Sequence, residues 1–157
     1  MPYNIVHVTE IWEHNLMVKR IKYVSRFEKP HSQADIEAIG EQSRANNQAL
    51  DLTGMLIASG GLFYQVLEGP AEAVDEVYAR IARDGRHTDL LLLSSEHEVE
   101  RLYPTWSMEV INLDAEANVR LFPLKALIKA VFEQTRLAEN MMWAIERTMQ
   151  HEVRRQG

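Results

Sequence analysis

Four uncharged polar side chains carry the chemistry this sequence offers: Tyr23, Asn46, Asn47 and Gln65. Gln65 lies in Phe63-Tyr64-Gln65-Val66-Leu67-Glu68-Gly69, which reads as a strand stopping at a turn. The two-residue period of a strand puts Phe63, Gln65 and Leu67 on one face. A buried amide there needs partners for its carbonyl and both N–H groups. Neighbouring backbone can supply them, and so can the polar edge of a ligand. Amides that each donate and accept suit a flat heterocycle. A tyrosine adds an oxidisable phenol, which has a use only beside a redox cofactor. Arg80, Arg83, Arg86 and His87 cluster where a helix ends, either as a solvated basic end that favours the helix dipole or as an anion site.

Other chemistries lack their residues. No Gly-rich phosphate loop follows a strand, and no His or Cys spacing suits a metal. No serine sits in a nucleophile elbow, and the six histidines are scattered. The absence of cysteine removes disulfides and thiol catalysis and makes the cytoplasm the expected compartment. A net charge of −6 argues against nucleic acid as the main partner. No run is apolar enough to cross a bilayer, and the N-terminus lacks a signal-peptide pattern, so no membrane association is expected. At 157 residues, 46% hydrophobic and 25% charged, the chain suits one globular domain with an appendage.

The elements that position these groups follow from local patterns. Residues 1–18 read as an N-terminal extension, with Ile5, Val8, Trp12 and Leu16 favouring a helix over a strand. Ile21–Ser25 reads as a strand, ended by Pro30. Ser32 and Asp35 open a helix reaching about Asn47, whose two asparagines either cap its end or face a ligand. Leu52–Ser59 and Leu62–Leu67 form a hairpin about Gly60-Gly61. Pro70 opens a second helix with a stripe of Val74, Val77, Tyr78 and Ile81. Leu90–Ser94 is apolar on both faces and reads as a central strand, and Trp106–Asn112 as a fifth strand. The order predicts an α+β fold, a ferredoxin-like βαββαββ sandwich with two helices on one sheet face. Two such helices leave a groove that Tyr23, Asn46, Asn47 and Gln65 would line.

From Pro123 to about Val153 runs a helix of roughly 45 Å. Leu124, Ile128, Val131, Thr135, Ala138, Met142, Ile145 and Met149 form a heptad seam, weak at Thr135 and Ala138. Leu127, Phe132, Leu137 and Met141 widen it, and a wide stripe predicts packing on the domain's own sheet. The narrower last turns predict a homodimer or higher oligomer through this helix.

The chain from about Ile21 to Asp114 resembles the BLUF domain, a blue-light sensor that binds FAD. The resemblance rests on Tyr23-Val24-Ser25, on Asn46-Asn47 through Leu52-Thr53-Gly54, on Phe63 through Gly69, on Arg86-His87 and on Trp106-Ser107-Met108, in that order and spacing. It is nearest to BLUF domains preceding bacterial photoactivated adenylyl cyclases, where a strand ending Ile-Asn-Leu is also followed by a Pro-Leu-Lys helix. The resemblance implies a sensor, not an enzyme, with domain bounds of 1–18, 19–114 and 115–157. It implies that Asn47 bonds the flavin's polar edge with Asn46 beside it. Arg80 and Asp84 stand near that edge, Ile81 packs on the ring, and Arg86 and His87 lie toward the phosphates. Blue light would draw an electron and then a proton from Tyr23, and Gln65 would exchange its hydrogen bonds in a red-shifted state. Trp106 and Met108 would relay the change to the C-terminal helix and on to a separate protein partner. Two other readings fit parts of the chain: an acylphosphatase-like hydrolase using Arg26 and an asparagine, and a flavin-free dimerisation module.

Overall fold

The computed structural model describes residues 17–29 and 31–156. Most of the expected N-terminal extension, and the strand-ending Pro30, lie outside the described residues. Strand β1 (Val18–Phe27) leads to helix α1 (Gln33–Ala49), the hairpin strands β2 (Thr53–Ser59) and β3 (Leu62–Gly69), helix α2 (Ala71–Arg83), and strands β4 (His87–Val99) and β5 (Glu109–Asn112). A short 3-10 turn (Glu116–Leu121) precedes helix α3 (Pro123–Gln156). The sheet order is β4-β1-β3-β2-β5, antiparallel except for the parallel β2–β5 pair. This is the ferredoxin-like arrangement expected from the element order.

Local chemistry starts and stops each piece. The Ser32 hydroxyl accepts the Asp35 N–H at 3.2 Å while the Asp35 carboxylate accepts the Ser32 N–H at 2.8 Å, a capping box on α1. Asn46 and Asn47 are not the cap of α1. They lie in its last turn, and the chain leaves through Asp51 at φ 54°, with the Asn47 carbonyl accepting from Leu50 and Leu52. Gly60 and Gly61 both take positive φ, 55° and 81°, as a tight hairpin turn requires. At Gly54 a side chain is excluded outright: a Cβ would lie 2.0 Å from the Val66 carbonyl oxygen.

Each face of the sheet is covered. On one, Ile21, Tyr23, Phe63 and Leu67 pack with Ile36 of α1 and Val74 of α2. On the other, Val24, Ile57, Leu62 and Leu91 pack with Ile128 and Phe132 of α3. This double cover corrects the placement of β4. Its leucines point both ways because Leu90 meets the first core and Leu91 and Leu93 the second, yet β4 is an edge strand. The wide stripe of α3 is also corrected. Its docking stops at Phe132, and Leu127, Leu137 and Met141 are exposed. Beyond the Arg136–Asp89 ion pair at the β4 edge, Met142, Trp143, Ile145, Met149 and Val153 also face solvent.

Candidate functional site

Tyr23 and Gln65 are directly opposed on β1 and β3. Both side chains turn toward α1 and α2, and the Tyr23 hydroxyl donates to Gln65 Oε1. Burial, with a smaller contribution from neighbouring Tyr78, pushes the Tyr23 phenol far above its ordinary range. The phenol therefore keeps its proton and acts as a donor, which orients the amide with its carbonyl toward Tyr23. Gln65 Nε2 then points at Met108 Sδ, 3.9 Å away. A thioether only accepts, so this is the one amide orientation that suits both neighbours. Tyr78 packs edge-on against the Tyr23 ring at 5.5 Å between centroids.

Above this pair lies a cleft of about 400 Å³ between α1 and α2. Asn46, Asn47, Gln65, Arg80, Ile81, Asp84 and Arg86 all line it, whereas Tyr23, expected to line it too, is buried and reaches it only through Gln65. Ile39, Gln42, Ser43 and Val77 complete the walls. Those four were legible in principle, since Gln42 and Ser43 precede Asn46 by four and three residues, Ile39 precedes Gln42 and Ser43 by three and four, and Val77 precedes Ile81 by four. Asn47 donates through Nδ2 to the Ser107 carbonyl at 2.8 Å, which fixes its amide and leaves its carbonyl oxygen free to accept. Arg44 holds the Met108 carbonyl at 2.9 Å.

The basic cluster divides. Arg86 Nε donates to both Asp84 oxygens at 3.0 and 2.9 Å, and this bonding lowers the Asp84 pKa to about 2. Arg80 is exposed and pairs with Glu76 at 3.5 Å. His87 does not line the cleft. Its Nδ1 pairs with Ser25 Oγ at 3.1 Å, its ring packs on Phe27, and burial lowers its pKa. A second hollow, of about 340 Å³, shares Arg86 with the cleft and adds Phe27, Lys29 and His31. Trp106 is 40% exposed and stacks on Tyr103, while Met108 is 2% exposed beneath Gln65. Strand β5 begins after them, at Glu109: the Trp106 carbonyl still meets β2 through the Gly54 N–H, but the Ser107 carbonyl is taken by the Asn47 side chain.

A larger hollow of about 680 Å³ lies under α3 on the other sheet face and contains none of the tyrosine–amide set. Arg26 belongs to that side, its guanidinium 4.8 Å above the Phe132 ring. It lies within β1 rather than in a loop, so the phosphate-binding pairing of an acylphosphatase is not formed. Among the described residues no acid–histidine cluster fits a metal, and no helix is long and apolar enough to cross a membrane.

A family model described as sensors of blue-light using FAD matches residues 18–109, more than half of the chain. The chain belongs to the BLUF family. It is 38% identical over 89 residues to photoactivated adenylate cyclase subunit beta of Euglena gracilis, covering 56% of this chain and 10% of that protein. It is 29% identical over 118 residues to the blue light- and temperature-regulated antirepressor BluF of Escherichia coli, covering 75% and 28%. A bacterial light-regulated adenylyl cyclase structure superposes with TM-score 0.71 at 37% identity, covering 78% of this chain and 36% of the other. The dark-state structure of BlrB, a BLUF protein, superposes at 0.58 with 28% identity, covering 75% and 96%. The chain thus spans about a tenth of the first of these relatives, and the match to the cyclases is to their BLUF part. BLUF domains are flavin-binding blue-light sensors, and the cleft's residues suit such a group: unspent amide donors and acceptors at its floor and rim, isoleucines on its walls.

Proposed function

We propose that this chain is a blue-light receptor holding FAD in the cleft between α1 and α2, with Tyr23 and Gln65 as its photochemical pair. The hydrogen bond from Tyr23 to Gln65 at the floor of that cleft carries the reading. Asn47, Asn46 and Gln65 would bond the flavin's polar edge, Ile81 would pack on the ring, and Arg80, Asp84 and Arg86 would stand at the rim. FAD is favoured over the shorter FMN because the second hollow, lined by Phe27, Glu28, Lys29, His31, Gly85 and Arg86, adjoins the cleft at Arg86 and offers room for the longer group. A bound flavin supplies the blue-light absorption and the electron acceptor.

The chain's own residues supply the rest. Tyr23 presents a buried, protonated phenol as electron and proton donor. Gln65 has two bonding patterns open to it. In the dark pattern its carbonyl accepts from Tyr23 and its N–H₂ faces Met108; in the other the amide is rotated or tautomerised and the ends exchange. Low local dielectric makes each pattern costly to leave half-made. The exchanged pattern, which the Met108 thioether does not satisfy, would rely on the flavin's polar edge as the added partner that makes the pair bistable. Met108 touches the switching group and Trp106 is exposed two residues away, so the signal leaves through the 100–108 segment. From there it would pass to α3, whose exposed seam of Met142, Ile145 and Met149 would pair with a second copy. We assign residues 19–114 to the sensor, 115–157 to this output helix and 1–18 to an extension, and place the protein in the cytoplasm with a separate downstream protein partner and no enzymatic activity.

A light-minus-dark absorption spectrum tests the core of this. Purified with FAD, the chain should be yellow, shift its flavin bands to the red under blue light and revert in the dark. A protein that takes up no flavin, or whose flavin bleaches without shifting, refutes it.

A further inference from the structure

Glu68 lies three residues beyond Gln65 on β3, so the strand's alternation turns its side chain to the opposite face. It is fully buried, with no solvent exposure at all. A charge in that position requires partners, and it has four. Arg20 Nε donates to Oε2 at 3.0 Å, and Thr53 Oγ1 donates to Oε1 at 3.4 Å. The other two are backbone groups of the segment that crosses from β4 to β5: Leu102 N at 3.0 Å and Tyr103 N at 2.6 Å.

That crossing segment is fastened on all sides of Glu68. Arg20, itself 5% exposed, donates also to the Glu100 carbonyl and to Glu96 at 3.0 Å. Arg101 reaches back to Thr53 Oγ1 at 2.9 Å and to the Asp51 carbonyl at 2.8 Å. The segment's far end carries Ser107, which holds Asn47, and Met108, which touches Gln65. One strand therefore grips the same peptide twice, once through each face: at Gln65 through Met108 and at Glu68 through Leu102 and Tyr103.

We propose that Glu68 is a positioning residue that sets where Met108 stands against Gln65, and so sets the lifetime of the light-shifted state. The proposal rests on the photoreceptor reading for its kinetic consequence but not for its structural one. Only four residues separate Tyr103 from Met108, and both ends are hydrogen-bonded, so loosening one end changes the seat of the other. Glu68→Gln keeps the volume and replaces one acceptor oxygen by a donor, which opposes an N–H of the segment or the Arg20 guanidinium.

The test uses the full chain with its methionine methyls labelled, and Met108→Leu identifies the Met108 signal. In Glu68→Gln the Met108 methyl resonance should move in the dark, with flavin or without it. With flavin loaded, the dark-recovery rate should change by about two- to thirtyfold, the span of couplings carried by packed networks. In the Met108→Leu background the same Glu68 change should leave recovery within about twofold of its parent. Arg101→Gln, which loosens the same latch from the protein's rim, should move the methyl in the same direction and decides the matter if Glu68→Gln does not fold. An unmoved Met108 methyl, or an effect of Glu68 on recovery that persists in full without Met108, overturns the proposal. A moved methyl in a chain with no light shift would keep the positioning role and reject the photoreceptor reading.

Discussion

The bond between Tyr23 and Gln65 makes a quantitative prediction about the dark protein. Tyr23→Phe keeps the buried ring and its edge contact with Tyr78 but removes the donor to Gln65 Oε1. Gln65 is 9% exposed and Tyr23 1%, so little water reaches the orphaned carbonyl. Leaving one buried polar atom unpaired costs about 1–3 kcal/mol. Gln65→Leu leaves the phenol unpaired instead and costs a similar amount. The double variant leaves neither group orphaned, so the two costs should not add. A double-mutant cycle on the flavin-free full chain, by thermal or urea denaturation, should give each single variant a loss of about 1–3 kcal/mol and the pair about 1–2 kcal/mol less than their sum. For a chain of 157 residues each kcal/mol lowers Tm by about 2–4 °C, well within measurement. Both single variants, loaded with flavin, should retain it and lose the normal red shift. Additive losses would refute the buried bond, whatever the spectra did.

Two further predictions concern other parts of the molecule. Phe132 is 1% exposed and closes the contact of α3 with the sheet, so Phe132→Ala should cost about 3–5 kcal/mol in urea denaturation, against about 0.5 kcal/mol or less for exposed Leu137→Ala in the isolated protomer. Asp84 has its pKa lowered from 3.8 to about 2 by its bonds to Arg86, so its pairing contributes stability above about pH 4 that is lost as pH falls toward 2; Asp84→Asn should remove that part of the acid denaturation profile.

Much of this was legible before any coordinates. The hairpin was written in Gly60-Gly61, the start of α1 in Ser32 and Asp35, and the buried amide in Gln65 between Phe63 and Leu67, because each is a local signal with one physical solution. What failed was what depends on the third layer. An apolar strand on both faces reads as central, and β4 has two covered faces, but the second cover is α3, dozens of residues later in the chain. The reach of α3 over the sheet was misjudged for the same reason, since a stripe does not reveal where the surface beneath it ends. Asn46 and Asn47 lie in the last turn of α1 as the pattern places them, but the helix runs two residues further, to Ala49, and the left-handed residue is Asp51. His87 follows Arg86 in sequence and lies on the same sheet face as Tyr23, but its pairing opposite Phe27 sets it further along the strand, against Ser25 and outside the cleft. Glu68 is visible as a charge in the same mostly apolar strand as Gln65, and its partners in the 100–103 segment are beyond the reach of local pattern.

The shallow docking of α3 has a mechanical consequence. The helix is held by Leu124, Ile128 and Phe132, and 24 further residues run from Phe132 to Gln156, about 36 Å at 1.5 Å per residue. It is a lever with a short arm clamped on the sheet and a long arm free. A tilt of about 5° pivoting at Phe132, which moves Leu124 at the other end of the roughly 12 Å clamp by about 1 Å, displaces the tip by about 3 Å. On the proposed relay, a shift of about 1 Å delivered to this clamp would become, by geometry alone, a displacement large enough to change the register of whatever the long arm touches.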